Sequence, residues 1–250
     1  MQATVVGWLR DEAWTQFLAL TDGAPAQGDI GHPLQSFFGF PGIDRQVPGV
    51  FTRRRTNRKE LALFVADNQN HDLDRFLAIS AWGSMNRRHA VRAVNGWSDW
   101  GVLFDDTRAA DSRQNIYEVF RSACVQDRLP GLGPAYFTKL IMYIRPDLCG
   151  YILDQWTGKA VEVLSADGFR LKFDGHRISP RNSARDYEEF CSRMDVLAAR
   201  SLGIQLGDLT PDQAHDFEGR LFSEGGKGRR AAAPWRSYVR SHWRRPPPEI

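Results

Sequence analysis

The stretch from Leu129 to Trp156, LPGLGPAYFTKLIMYIRPDLCGYILDQW, decides how this chain of 250 residues folds. Its first five residues, 129–133, interrupt a helical pattern, because two glycines flanking one leucine permit a sharp turn and a close approach to a partner. Pro134 suits the first position of a helix, which we expect to run to about Ile144. The first N–H groups of that helix have no partner within it, so they form a site for an anionic oxygen.

A second amphipathic helix is predicted before the glycine turn, over Asn115–Gln126, because its apolar residues recur at helical spacing. The two helices with the turn between them predict a helix-hairpin-helix element. Asp154 follows Gly133 by 21 positions and is expected at the start of the next helix, Asp154–Leu164. An aspartate there can cap the helix through its side chain, and capping does not exclude a second, chemical role.

These residues resemble the helix-hairpin-helix DNA glycosylases, whose LPGVG-like or LPGIG-like hairpin is followed by a helix and then an aspartate. The resemblance covers residues 115–164. A weaker similarity to bacterial 8-oxoguanine-glycosylase-like proteins extends over the whole chain. It implies a mostly α helix-hairpin-helix glycosylase fold, here with a small β-hairpin insertion. It also implies contacts to the DNA backbone at four hairpin residues: Leu129, Gly131, Gly133 and Ala135.

The resemblance assigns the chemistry to Asp154. Positive charge develops on the deoxyribose as a base leaves, and a nearby carboxylate stabilises that charge and orients water towards C1′. Family members divide by whether a lysine stands two residues after the second hairpin glycine, where it attacks C1′ as a nucleophile. Here that position is Ala135, which implies a monofunctional enzyme that uses water.

Lys139 complicates this interpretation, because it lies one helical turn beyond Ala135 on the same face. Three roles stay open for it: a phosphate contact, an ion pair near Asp154, or a displaced nucleophile. The first two are favoured, and in either of them Lys139 could stabilise an ionised carboxylate for catalysis.

Composition favours a folded protein, since 42% hydrophobic residues and eight tryptophans can bury a sizeable core. The three cysteines, Cys124, Cys149 and Cys191, are widely spaced and odd in number, unlike a disulfide framework or a zinc site. The four-cysteine iron–sulfur motif of some related glycosylases is missing, so we expect neither a metal nor another cofactor. No apolar run has membrane-spanning length, and the N-terminus lacks a leader pattern. We therefore expect a cytoplasmic monomer whose partner is double-stranded DNA containing a modified base.

The charge is unevenly distributed along the chain. The net charge is +3, but residues 225–250 hold seven basic side chains against one glutamate, a net +6. Two further basic runs are Arg53–Lys59 and the group Arg87, Arg88 and Arg92. Such clusters suit phosphate neutralisation, and a solvated basic surface is the alternative for each.

Three regions are predicted: an N-terminal helical region (1–114), the helix-hairpin-helix core (115–224) and a basic aromatic tail (225–250). Further helices are expected over Asp11–Leu20 and from His71 to about Ala81. After the interruption at 82–87, another helix is expected to run to about Val94. Two more are expected from Ser183 to about Leu202 and from Thr210 to about Phe222. Residues Lys59–Ala66 could be a strand or a short helix. Gly168–Ser179 alternates apolar and polar residues around Asp174-Gly175, which predicts a β-hairpin. Residues 23–48 are expected to be irregular, and Ala231–Trp243 to be helical after a glycine-rich link.

Two sets of residues are candidates for handling a flipped base. The interruption at 82–87 could supply a side chain that fills the gap in the base stack, or it could be a plain interhelical turn. The second set could stack on the flipped base or could simply be packed in the core. The candidates for the wedge are Met85, Asn86 and Arg87, and those for stacking are Trp156, Trp235 and Trp243.

The sequence thus predicts a DNA glycosylase that hydrolyses the N-glycosidic bond of an oxidised or hypermodified base. Resemblance points to 8-oxoguanine, whereas the β-hairpin and the aromatic tail leave room for a bulkier base such as glucosylated hydroxymethylcytosine of phage DNA, in a defence role. The alternative is a non-catalytic DNA-binding protein in which Asp154 only caps a helix. A nuclease is disfavoured, because no carboxylates are clustered for two metal ions.

Overall fold

The structure is a computed structural model that describes residues 7–22, 31–43, 45, 55–222 and 233–243. Over these residues it is mostly α-helical with one small antiparallel sheet, as predicted. The helices are α1 (Asp11–Thr21), α2 (Leu34–Phe38), α3 (Arg58–Ala66), α4 (Asp72–Trp82), α5 (Arg87–Asn95), α6 (Trp97–Trp100), α7 (Leu103–Ala109), α8 (Arg113–Val125), α9 (Pro134–Ile144), α10 (Gln155–Leu164), α11 (Ala184–Leu202), α12 (Pro211–Phe222) and α13 (Pro234–His242), and the strands are β1 (Phe173–Asp174) and β2 (Arg177–Ile178).

The two helices that flank the glycine turn are confirmed. Helix α9 has the predicted bounds, and α8 begins two residues earlier than expected because the Ser112 side chain caps it, accepting a hydrogen bond from the Asn115 N–H at 3.2 Å. The ambiguous segment Lys59–Ala66 is helical. Asn57 settles that ambiguity by capping α3 through the Glu60 N–H at 2.9 Å.

Residues 95–114, for which the sequence suggested no element, form α6 and α7. Trp100 is fully buried there, and its ring packs against Phe76 with centroids 5.0 Å apart. The irregular region predicted at 23–48 contains the short helix α2, whose Phe37 and Phe38 are buried. Residues 23–30, 44 and 46–48 of it lie outside the described part of the chain.

The predicted β-hairpin is confirmed. Phe173 pairs with Ile178 and Asp174 with Arg177, and Gly175 occupies the turn with a φ of +65°. The hairpin packs on α10 so closely that a Cβ at Gly158 would lie 2.9 Å from Ile178 Cδ1. It therefore forms part of the same side of the molecule as the start of α10.

Helix α9 lies at the centre of the fold and packs against α3, α4, α7 and α8. Helix α11 covers α8 and α12, and the stacked rings of Tyr117 and Tyr187, 4.4 Å apart, join α8 to α11. Helix α13 packs on α1 and α10, so apolar contacts run continuously through the described residues. The division at residues 114 and 224 stays a prediction, and the glycine-rich link at 225–228 falls outside the described residues.

No helix among the described residues has the length and apolar character needed to cross a membrane.

The glycine turn depends on one backbone conformation that other residues rarely adopt. Gly131 has a φ of +81°, and a Cβ built there would lie 3.0 Å from the His89 carbonyl oxygen of α5. Leu129 and Leu132 on either side are buried, and the Leu132 N–H donates to the Leu129 carbonyl at 3.2 Å. The hairpin is thus held against α5 as well as by its own two helices.

We predict that Gly131→Ala lowers the free energy of unfolding by about 2–3 kcal/mol, because it combines left-handed strain with contact against His89. Gly168→Ala is the matched control, since Gly168 has a φ of +82° and open space around it. It should lose only about 1 kcal/mol. Urea unfolding of both variants measures the difference, and equal losses would show that the contact with α5 is unimportant.

Candidate active site

The hairpin presents unused backbone donors at the start of α9. The Tyr136 and Phe137 N–H groups both donate to the Gly133 carbonyl, at 2.9 and 3.1 Å. By contrast, the N–H groups of Gly131, Gly133 and Ala135 donate to no described residue. These three groups, at the positive end of the helix dipole, can bind a phosphate oxygen. The predicted contribution of Leu129 is indirect, because its side chain is buried.

Asp154 caps α10 with only one of its two carboxylate oxygens. Oδ1 accepts hydrogen bonds from the Trp156 N–H at 2.7 Å and the Thr157 N–H at 3.0 Å. The Thr157 hydroxyl completes a capping box by accepting from the Asp154 N–H at 3.0 Å. Oδ2 accepts no hydrogen bond from the described residues, and the side chain is partly exposed. The capping role is confirmed, and it leaves one oxygen available for chemistry.

Thr138 fixes Asp154 relative to the hairpin. It is fully buried in α9, where its hydroxyl donates to the Pro134 carbonyl at 2.7 Å and accepts from the Leu153 N–H at 3.0 Å. The residue before Asp154 is therefore attached to the first turn of α9, next to the free N–H groups. Thr138 was not among the predicted site residues, although a hydroxyl within an otherwise apolar helix stretch is a recognisable signal.

Lys139 follows Thr138 in α9 and is also buried, with 9% of its surface exposed. Its Nζ donates to the Ala135 carbonyl at 2.5 Å, and no described carboxylate lies within salt-bridge distance of it. Burial lowers the pKa of Lys139, and the negative charge of Asp154 is the largest influence in the opposite direction. The burial contradicts a direct phosphate contact. The interaction with Asp154 exists, but as a longer-range attraction and not as a contact pair.

A buried ion pair lies behind Lys139. Arg58 Nη1 is 2.7 Å from Glu218 Oε2, and Glu218 is only 1% exposed. The guanidinium of Arg58 also lies over the Trp82 ring, 5.2 Å from its centroid. Arg58 belongs to the basic run predicted to contact phosphate, and this pairing contradicts that prediction for Arg58. Glu218 was not predicted, because nothing in its local sequence distinguishes it from other helical glutamates.

The turn between α4 and α5 divides the wedge candidates. Met85 is fully buried in the core, which contradicts its proposed role as the inserted side chain. Arg87 is partly buried over the Phe40 ring at 5.5 Å. Asn86 is exposed, and its side chain accepts from the Arg88 N–H at 2.9 Å. Because Gly131 rests on His89, Asn86 is the wedge candidate that remains exposed near the hairpin.

The aromatic candidates are packed within the protein. Trp235 is fully buried, and its Nε1 donates to the Leu221 carbonyl at 3.1 Å, which contradicts stacking on a flipped base. Trp243 donates to Glu162 Oε2 at 2.6 Å, so it fastens the end of α13 to α10. Trp156 is partly exposed, and the Arg236 guanidinium covers its ring at 4.6 Å. Only Trp156 and Trp243 keep an accessible edge.

Exposed basic side chains remain near the hairpin on α5. Arg88 and Arg92 are exposed one turn apart on the helix that supports Gly131. From the other predicted clusters, Arg55, Lys59 and Arg240 are exposed. The remaining members of the clusters that fall outside the described residues are Arg53, Arg54, Lys227, Arg229, Arg230, Arg244 and Arg245.

Comparison with known proteins agrees with this arrangement. Residues 7–222 match the family model described as "Putative 8-oxoguanine DNA glycosylase OGG-like protein". No curated protein and no solved structure matches the chain significantly. The matched range contains the hairpin, Asp154, Lys139 and the Arg58–Glu218 pair. With most of its length matched, the chain belongs to this OGG-like family of DNA glycosylase-type proteins.

Proposed function

We propose that the protein is a monofunctional DNA glycosylase that flips a modified base out of duplex DNA and hydrolyses its N-glycosidic bond. One observation carries this proposal: the unengaged Oδ2 of Asp154, attached through Leu153 and Thr138 to the anion-binding end of α9.

The proposed mechanism begins with the hairpin, whose free N–H groups hold a phosphate next to the flipped nucleotide. With the phosphate held there, the C1′ atom of the flipped nucleotide faces Asp154. As the base leaves with the bonding electrons, Oδ2 stabilises the positive charge on the sugar and orients a water. The water oxygen bonds to C1′, and its proton passes to the carboxylate before release to solvent.

The methyl group of Ala135 stands where related enzymes that nick DNA have their lysine, so it provides no nucleophile. Lys139 lies close by, with its amine on the Ala135 carbonyl. That amine is buried and donates to a backbone carbonyl, so the proposed reaction does not use it as a nucleophile. This is the basis for proposing hydrolysis without strand cleavage.

The family's printed description makes 8-oxoguanine the first substrate to test. The glucosylated hydroxymethylcytosine of phage DNA is the second substrate to test, because the β-hairpin packs on α10, the helix that Asp154 caps, and could form an additional wall beside a bulkier base.

We predict that Asp154→Asn reduces single-turnover base release by about 10²–10³-fold, because the amide keeps the cap but loses the negative charge. Duplex binding should change by less than about threefold, since the donors at the hairpin are unaffected. Release is measured on 8-oxoguanine duplexes and on glucosylated phage DNA, with strand breaks scored before and after alkali.

Asp147→Asn is the matched control, because Asp147 lies in the same stretch and pairs with Arg145 on the surface. It should retain full release. Tight DNA binding without release from any substrate would instead support the non-catalytic DNA-binding protein. Strand breaks that form without alkali would contradict the monofunctional mechanism and implicate Lys139 as a nucleophile.

We also predict that Arg88→Ala weakens binding to all duplexes alike and lowers the dependence of log K on log salt by about one, as loss of one phosphate contact would. Binding is measured by anisotropy over a range of salt concentrations.

Arg108→Ala serves as the comparison, because Arg108 lies beside Arg145, beyond the end of α9 that is opposite the hairpin. That variant should bind DNA like the wild type. Equal effects of the two substitutions would mean that α5 is not part of the DNA-binding surface.

A further inference from the structure

Four charged groups of alternating sign extend inward from the hairpin. They are Asp154 at the start of α10, Lys139 on α9, Glu218 on α12 and Arg58 on α3. Lys139 and Glu218 are 9% and 1% exposed, respectively, so both charges are largely removed from water. Buried charges of this kind persist only when neighbouring groups compensate them.

The Lys139 side chain is held on several sides. Its Cδ and Cε lie so close to Gly83 that a Cβ on that glycine would be 2.7 and 3.0 Å from them. Its Nζ is hydrogen-bonded to Ala135 and lies 5.5 Å from the centre of the Tyr136 ring. The amine therefore has little freedom, and its orientation follows from packing.

Glu218 is held by Arg58 of α3. Arg58 contacts its Oε2 at 2.7 Å, and the same guanidinium donates to Met142 Sδ at 3.9 Å. The Trp82 ring covers Arg58 as well. Arg58 thus links the Glu218 carboxylate to Met142 of α9. Lys139 lies three residues before Met142, on the same face of that helix.

The charges of these groups act on one another. Burial lowers the pKa of Lys139, the charges of Asp154 and Glu218 raise it, and Arg58 lowers it by a smaller amount than Glu218 raises it. Burial raises the pKa of Glu218, whereas Arg58 and Lys139 lower it. Without the Glu218 charge, Asp154 would be the remaining carboxylate that raises the pKa of Lys139. Arg58 would still lower that pKa.

We propose that Glu218 is a positioning residue for base release: anchored by Arg58, it keeps Lys139 in its ammonium form next to Asp154. This inference rests on the proposed glycosylase function. The ammonium is attracted by the negative charge of Asp154 and is unable to attack C1′. Glu218 acts through Lys139 and touches neither the sugar nor the base.

The first test compares pH profiles of single-turnover base release for wild type and Glu218→Gln. Loss of the charge should make Lys139 release its proton more easily, so the alkaline limb moves to lower pH by about one unit, with the duplex Kd unchanged. A uniform drop at every pH, with the limb in place, would mean a structural role only and would overturn the proposal.

Glu162→Gln is the control for loss of a buried carboxylate. Glu162 is 3% exposed and bonded to Leu171 and Trp243, away from Lys139. The alkaline limb of its pH profile should lie at the same pH as in the wild type.

The double variant Arg58→Met with Glu218→Leu replaces the ion pair by apolar residues, an exchange that proteins often tolerate. It should shift the limb in the same direction as Glu218→Gln, and by less, and it tests the proposal if the single variant does not fold.

A second readout does not depend on activity. In protein labelled with ¹³C at lysine Cε, the Lys139 resonance is identified by its loss in Lys139→Met, and its titration is followed by NMR. The midpoint should lie below the usual lysine range in wild type and lower still in Glu218→Gln. Identical midpoints would overturn the proposal even if bases are released. The expected shift in a protein that releases no base would uphold the positioning and reject the glycosylase function.

Discussion

The burial of α9 is the constraint on which the rest of the structure depends. Every residue from Phe137 to Tyr143 is buried, yet the helix must begin at the surface, where the hairpin presents free N–H groups. One helix therefore connects the glycine hairpin to the middle of the core. Because Thr138 and Lys139 lie within its buried part, the position of Asp154 and the charge of the neighbouring amine are both set by core packing. The hairpin, the carboxylate and the charged cluster form one unit for this reason.

The two oxygens of Asp154 explain how a structural and a chemical role can belong to one residue. A cap requires one acceptor, and Oδ1 provides it to two backbone N–H groups. The negative charge is shared by both oxygens, so Oδ2 remains an electrostatic partner for a cationic sugar. The cap also prevents the side chain from turning away from the site. A carboxylate held in this way needs no reorganisation when a positive charge develops beside it.

Much of this arrangement was predictable because it is local in sequence. The two glycines, Pro134 and the spacing to Asp154 lie within one short segment, and local hydrogen bonds determine their structure. The β-hairpin was predictable for the same reason, although its two-residue turn is Gly175-His176, one residue beyond the Asp174-Gly175 centre of the sequence pattern. Burial was harder to predict. Met85 and Trp235 have the residue types expected of base-contacting groups, but both belong to the core.

The contribution of distant segments could not be predicted from the sequence. Glu218 reaches Arg58 from 160 positions away, and no periodicity relates the two. A short basic run offers no sign that one of its arginines is turned inward. The helices α6 and α7 were not predicted because both are short. Tertiary packing, in which Trp100 is fully buried, stabilises them. In each case a contact between remote segments decides the outcome.

In the proposed mechanism, Asp154 stabilises positive charge on the sugar next to the hairpin. Two abasic-site analogues test this role, because they are similar in shape and differ in charge. One duplex carries a pyrrolidine, whose ring is cationic, and the other carries a neutral tetrahydrofuran. The wild type should bind the cationic duplex at least about tenfold more tightly than the neutral one, a difference of about 1.4 kcal/mol. In Asp154→Asn the preference should vanish. Equal binding of the two duplexes by the wild type, or an unchanged preference in the variant, would contradict stabilisation of the cationic sugar by Asp154.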